Sequence, residues 1–277
     1  MKTRLITAGV GILIGAMVFV FGEMNSIVVT IAVSIACAIM CGEYLAAKNL
    51  HKEMTIFLPG LVFGAMIPAL AYSYVGFMPY YGFVLYLCAI AVLCHDTIPI
   101  EDIFYTFFGI SLITISMALF NVRVCAANWH PTFWAILIFG VPWIADSAAY
   151  FVGSAMGKHQ LCPKISPKKT IEGAFGGVVF GTVAPLLFGL VFMLVYGNLE
   201  VNWFILPIIG LVNSLVSILG DLLFSVVKRK CGIKDYGSIM PGHGGLLDRF
   251  DSVILCVPFV YFISKYVPII TDIIPAT

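Results

Sequence analysis

A backbone amide or carbonyl cannot be left unpaired in hydrocarbon, and this chain presents one long apolar run after another. They fall at about 5–21, 26–41, 56–75, 80–95, 102–120, 132–151, 174–196, 202–227 and 252–270. A helix needs about 20 mostly apolar residues to cross a bilayer core. Only helices and closed barrels satisfy their own backbones there, and barrel strands alternate polar with apolar residues. These runs are apolar all round, so they predict helices. Of the 277 residues 61% are apolar and 10% charged, with a mean hydropathy of +1.05; a soluble domain is about half apolar and about a quarter charged. That excludes a soluble globular enzyme, a disordered chain and a nucleic-acid binder with a general basic surface. The fold expected is an all-α polytopic integral membrane protein with about nine transmembrane helices.

The runs at 26–41 and 80–95 are short, so one of them is open to being a half-helix or a re-entrant segment. The start, Met1 to Phe21, has a basic flank of Lys2 and Arg4 but no clear small-x-small cleavage site before Glu23. It reads as a retained first helix rather than a signal peptide. The eight cysteines form no C-x-x-C pair and mostly sit in apolar runs, as small hydrophobes do.

Two polar loops stand apart, Gly153 to Gly173 and Lys228 to Asp251, and nine of the fifteen Lys and Arg residues lie in them. Two spans separate them, so they share one side of the membrane. The loop from Gly42 to Met54, with Lys48 and Lys52, is expected on that side too. The positive-inside rule places this side in the cytoplasm.

Acids at membrane depth are expensive and functional by default. Asp146 lies near the end of the sixth run and Asp221 within the eighth; hydrogen bonding between helices is the plainer reading of each. From Asp221, Ser225 is at i+4, Lys228 at i+7 and Arg229 at i+8, one helical face. From Asp248, Asp251 is at i+3 and Ser252 at i+4. Two acidic helix faces can hold one or two hard cations, and oxygen-only ligands favour Mg²⁺ completed by substrate phosphates. The stretch Pro241-Gly242-His243-Gly244-Gly245 leaves backbone amides uncovered for phosphate. It is flanked by Lys228, Arg229, Lys230 and Lys234 before it and Arg249 after it. Ser166, Lys168, Lys169 and Thr170 supply hydroxyls and lysines in the other loop. A basic loop that binds anionic lipid is the plainer reading there. His243 is open to three roles: general base, phosphate donor or turn residue. A phosphate nucleophile is already ionised and needs no base, which favours the donor. His95, Asp96, Glu101 and Asp102 read as a solvated acidic loop.

Taken together, Ser225-x-x-Lys228-Arg229, Lys234-Asp235 and Pro241-x-His243-Gly244-Gly245-x-x-Asp248-Arg249-x-Asp251 resemble the signature of the phosphatidate cytidylyltransferases (CDP-diacylglycerol synthases). Ala145-Asp146-Ser147 to Tyr150, Gly157-Lys158, and Ser166-Pro167-Lys168-Lys169-Thr170-x-Glu172-Gly173 are similar to that family as well. The likeness covers about 143–252; Met240 stands where the family often has Leu, Ile or Phe, and the N-terminal half matches no motif. On this resemblance residues 1–130 are N-terminal transmembrane helices and 131–277 a C-terminal transmembrane catalytic region.

The resemblance implies a multi-pass enzyme of the bacterial inner membrane with a polar active-site cavity facing the cytoplasm. It implies the reaction of CTP with phosphatidic acid to give CDP-diacylglycerol and pyrophosphate, and a divalent-metal requirement. Asp221 and Asp248 take the place of the family's Mg²⁺ ligands, with Asp251 as a further ligand or a partner of Arg249. Lys228, Arg229 and Lys234 would hold phosphates; His243, Gly244 and Gly245 the nucleotide; Ser166, Lys168 and Lys169 the lipid phosphate or CTP. Ser225 and Asp146 would face substrate. A second metal ion, membrane lipids and a homodimer are further expectations. Three rival readings are a CTP-dependent polyprenol kinase, a secondary transporter using Asp146 and Asp221, and a lipid-binding assembly factor. The transporter leaves the glycine turn unexplained, and the assembly factor leaves Asp221, Asp248 and Asp251 unexplained.

Overall fold

The computed structural model describes residues 25–126, 131–197, 199–240, 242 and 244–272, with 15, 17 and 22 besides. The first predicted span therefore lies almost wholly outside the described residues. The chain divides into two compact units, Met1–Pro131 with Lys228–Phe250, and Thr132–Val227 with Asp251–Thr277.

In the first unit the helices are α1 (Ser26–Ala47), α2 (Met54–Leu70), α3 (Met78–Leu93) and α4 (Ile100–Ala126). Asn25 starts α1 by accepting the Ile27 amide at 2.9 Å. The expectation that α1 stops near residue 41 is corrected: it runs six residues further, and Glu43 and Tyr44 become buried helix residues. Helices α1, α2 and α4 pack on one another around Met40, Cys41, Leu45, Ile67, Ile110 and Ile113. Gly64 brings α2 close to α1, since a Cβ there would meet Cys41 Sγ at 3.0 Å. Fully buried Asn121 donates to Pro68 O at 2.9 Å and accepts from Thr30 at 3.1 Å. It thereby pairs one of the orphan carbonyls near the end of α2. Asp102 is not a solvated acid: it forms an ion pair with Lys48, whose Nζ lies 5.3 Å from the Tyr105 ring centre.

The second unit starts with a short helix, α5 (Pro131–Ala135), a π turn at Ile136–Gly140, and α6 (Val141–Met156). Pro142 has no amide to give Ile138 and its ring crowds that carbonyl, so the turn before it widens. Next come α7 (Ile171–Tyr196) and α8 (Ile205–Lys230), whose last three residues are counted with the first unit. The final apolar run is not one helix: α9 (Leu247–Ile254) and α10 (Cys256–Tyr266) are separated at Leu255. Pro258 is the cause, because it cannot donate to the carbonyl of Ile254.

The loop expected at 153–173 is shorter than the sequence suggests and is structured. It holds β1 (Gln160–Cys162) paired antiparallel with β2 (Ser166–Thr170). A second small ladder joins β3 (Leu199–Val201) to β4 (Ile270–Asp272). Helices α6 and α7 make a close pair. A Cβ at Gly173 would lie 2.6 Å from Ala149 O, and one at Gly177 would lie 2.7 Å from Ala145 O. At Gly181, four residues further, an added Cβ would collide with Ser214 Oγ on α8 and lie 3.2 Å from the Cβ of Ala145. Small residues at this spacing let two helices in lipid gain contact where larger ones would hold them apart.

Five helices are long and apolar enough to cross a membrane: Ser26–Ala47, Ile100–Cys125, Thr132–Met156, Ile171–Tyr196 and Ile205–Lys230. The apolar α2 and α3 are shorter, at 17 and 16 residues. On α7 Phe175, Phe180, Leu187, Val191 and Leu194 are exposed, a surface suited to lipid rather than water. The protein is thus a helical membrane protein with at least these five candidate spans among the described residues.

The close α6–α7 approach predicts that Gly177→Val destabilises the protein by about 1–3 kcal/mol through overpacking. Thermal unfolding in detergent checks this; an unchanged midpoint would mean that the helices do not need the glycine.

Candidate active site

In the second unit the polar residues gather on α6, β2 and α8. Thr170 ends β2 and caps α7, accepting the Gly173 amide at 3.1 Å. Glu172, in the first turn of α7, fastens the base of the hairpin. It accepts the amides of Lys158 and His159 at 3.1 and 3.2 Å and contacts His159 Nδ1 at 2.7 Å. Alternation along the strand puts Lys168 and Lys169 on opposite faces: Lys168 is exposed and Lys169 half-buried. Lys169 Nζ lies 2.5 Å from Asp221 Oδ2, with the two side chains 25% and 24% exposed. Ser225, one turn on, donates to Asp221 Oδ1 at 3.2 Å. Asp146 on α6 is within electrostatic reach of both Asp221 and Lys169 and is hydrogen-bonded to Ser252. One lysine thus serves two carboxylates. Ser166 stands half-buried on the same strand. Buried Asp251 accepts the Ser252 amide at 2.8 Å.

In the first unit the signature residues are organised around Asp248. Helix α8 ends in a turn in which Gly232, at φ +70°, allows the Ile233 amide to reach Lys228 O at 3.0 Å. The chain then returns through Tyr236. Asp248 Oδ2 accepts the amides of Tyr236 and Gly245 at 2.7 and 3.0 Å. Its Oδ1 accepts from Lys228 Nζ at 2.8 Å, and the two side chains are 5% and 10% exposed. Lys228 also lies 5.4 Å from the Tyr236 ring centre. Gly242 and Gly244 take φ of +80° and +89°, which folds the glycine turn tightly enough for the Met240 amide to reach Gly244 O at 3.0 Å. Lys234, Arg229 and Arg249 are exposed; Arg229 Nη1 donates to Ile233 O at 3.3 Å. His243 lies outside the described residues.

The glycine turn is expected to offer its amides to phosphate. In this structure the Gly245 amide is engaged by Asp248, and the next two amides, of Leu246 and Leu247, by Glu43 at 3.0 and 2.7 Å. Glu43 is the residue that sequence reasoning overlooks. The apolar run before it ends at residue 41, so from the sequence Glu43 reads as a loop acid, whereas the structure buries it in a helix.

The donor chemistry suits a hard cation. Asp146 and Asp221, with the Ser225 and Ser252 hydroxyls, are all oxygen donors and already share an ammonium group. Asp248 Oδ2 accepts two amides and Oδ1 the Lys228 ammonium, so the carboxylate is held in one orientation and offers oxygen donors of the kind a hard cation takes. Among the described residues no group of three or more His, Cys, Asp or Glu could hold a metal. Substrate oxygens would have to complete the shell, as is usual for Mg²⁺ at phosphate sites.

The family model described as "Cytidylyltransferase family" matches residues 2–267. The chain belongs to that family and is a nucleotidyltransferase. Among its relatives are proteins named phosphatidate cytidylyltransferase. That of Bacillus subtilis (strain 168) is 38% identical over 181 residues, 65% of each chain. That of Staphylococcus epidermidis (strain ATCC 12228 / FDA PCI 1200) is 30% identical over 269 residues, 94% of this chain and 97% of the relative. That of Staphylococcus aureus (strain COL) is 31% identical over 268 residues, again 94% and 97%.

The buried pair sets a stability test. Lys228→Ala strips Asp248 of its cation and is expected to cost about 3–5 kcal/mol, as breaking a buried ion pair does. Lys234→Ala, on the exposed turn, is expected to stay within about 0.5 kcal/mol. Denaturation in detergent reads both, and equal losses would contradict the difference in burial.

Proposed function

We propose that this chain is a phosphatidate cytidylyltransferase: it transfers CMP from CTP to phosphatidic acid and releases pyrophosphate. The observation that carries this reading is the identity to proteins of that name along 94% of the chain. The phosphate of phosphatidic acid attacks the α-phosphorus of CTP in line, and pyrophosphate leaves. Both reactants are anions, so most of the work is alignment and charge compensation.

Lys169 holds a substrate phosphate, and a phosphate oxygen there competes with Asp221 for the ammonium; Lys168 and Ser166, on the other face of the strand, are assigned to substrate by their motif context. Ser225 orients Asp221 through its hydrogen bond. Arg229, Lys234 and Arg249, exposed cations of the signature, receive the nucleotide phosphates. Lys228 acts chiefly on Asp248, to which it is paired. His243 and the backbone of Gly244 are assigned to the nucleotide phosphates by their motif context, while the Gly245 amide is held by Asp248. Asp146 steers Lys169. Mg²⁺, and a second ion where one binds, would draw its protein oxygens from Asp221, Asp248 or Asp251, with substrate phosphates completing the shell, and would supply positive charge to the reacting oxygens. The acyl chains stay solvated by the bilayer. The proposed setting is a nine-span protein of the bacterial inner membrane, with its polar cavity facing the cytoplasm. The excess of Lys and Arg in the two polar loops supports that orientation.

The test is label transfer from α-labelled CTP to phosphatidic acid by purified protein with Mg²⁺. Label is expected in the lipid phase, lost with EDTA, and reduced about 10²-fold or more in Asp221→Asn. Lys169→Gln is expected to raise a substrate KM. Label left in water as CDP, with an added polyprenol phosphorylated, would instead identify a kinase. Full turnover by Asp221→Asn would remove that residue from the site.

A further inference from the structure

Glu43 is a buried carboxylate on α1, 7% exposed, and it reaches a segment more than two hundred residues away in sequence. Its Oε1 accepts the Leu246 amide at 3.0 Å and its Oε2 the Leu247 amide at 2.7 Å. These amides stand at the start of α9, where a helix leaves its first N–H groups without internal partners and favours negative charge. The carboxylate fits there because two glycines flank it. A Cβ at Gly245 would lie 2.6 Å from Oε2, and one at Gly237 would collide with Oε1. The next residue along α9 is Asp248, whose own carboxylate takes the Gly245 amide. Three consecutive amides, 245 to 247, are therefore divided between Asp248 and Glu43.

We infer that Glu43 is a positioning residue: it fixes the first turn of α9 and through it the carboxylate of Asp248. The inference rests on the reading of Asp248 as a magnesium ligand given above. Without Glu43 two amides, one buried and one part-buried, lose their acceptors. The turn then frays or recruits water, and Asp248 no longer keeps one orientation toward its cation. Groups that orient a metal ligand from behind typically change metal affinity or activity by about 10–100-fold. The reach of Glu43 is specific. Aspartate is one methylene shorter and cannot span both amides, and glutamine offers a single acceptor oxygen with an N–H₂ turned against the second amide.

The test compares the full-length protein with Glu43→Gln and Glu43→Asp in detergent. Three quantities are read: amide exchange of the 244–252 segment, Mn²⁺ binding by the loss of free-ion paramagnetic resonance signal, and the Mg²⁺ concentration for half-maximal activity. In Glu43→Gln the segment is expected to exchange faster and both metal midpoints to rise about tenfold or more. The KM for phosphatidic acid is expected to stay unchanged, and Glu43→Asp to fall between Glu43→Gln and wild type. A lower melting temperature with unchanged metal midpoints would overturn the positioning role and leave Glu43 a structural cap. Unchanged exchange would overturn it as well. Failure of the unsubstituted protein to label lipid would reject the cytidylyltransferase reading instead, and exchange and Mn²⁺ binding would still decide the role of Glu43.

Discussion

A charge withdrawn from water must meet an opposite charge or a set of hydrogen-bond donors, and much of the site in this protein follows from that requirement. Asp248 meets it with a lysine and two amides; Asp221 meets it with a lysine and a serine; Glu43 meets it with two amides at a helix start. In a low-dielectric setting each arrangement is strong when complete and costly when broken. The carboxylates are therefore held in defined orientations before any substrate arrives. Pre-set groups of this kind do not have to reorganise when charge develops during a reaction.

Glycine makes these arrangements sterically possible. Gly173 and Gly177 let α6 and α7 meet backbone to backbone, in the same unit as Asp146 and Lys169. Gly237 and Gly245 open the space that the Glu43 carboxylate fills. The signature's glycines thus have two kinds of work. Gly242 and Gly244 take positive φ and turn the chain, while Gly245 makes room for a side chain from α1. A reading based on exposed amides alone attends to the first kind and misses the second.

Much of the candidate site is legible in order along the chain. Asp146, Asp221 and Asp248 stand out as acids in or beside apolar runs, and Lys228 stands out by its spacing from Asp221 on one helix. The pairings were not readable. Lys169 could be grouped with Lys168 as a basic loop, but only the β1–β2 register shows that the two point to opposite faces and that Lys169 pairs with Asp221. The end of α1 is not legible in the sequence, because a glycine and a glutamate after an apolar run resemble a helix stop. Packing against α2 and α4 carries the helix on instead. The last run reads as one helix because Pro258 is flanked by strongly apolar residues, and the missing amide nevertheless divides it.

The sequence by itself determined that the chain is helical and made for lipid, because hydrophobic length and the need to pair every backbone group are local properties. It also determined the family, because the signature is a contiguous string of residue types. Only the tertiary structure decided which carboxylate meets which cation, and that an acid on α1 closes the start of α9 across 203 residues of chain. Such contacts depend on how closely two helix backbones approach and which donors are left without partners at that depth. Those are properties of packed pairs of elements, and no periodicity within one segment encodes them.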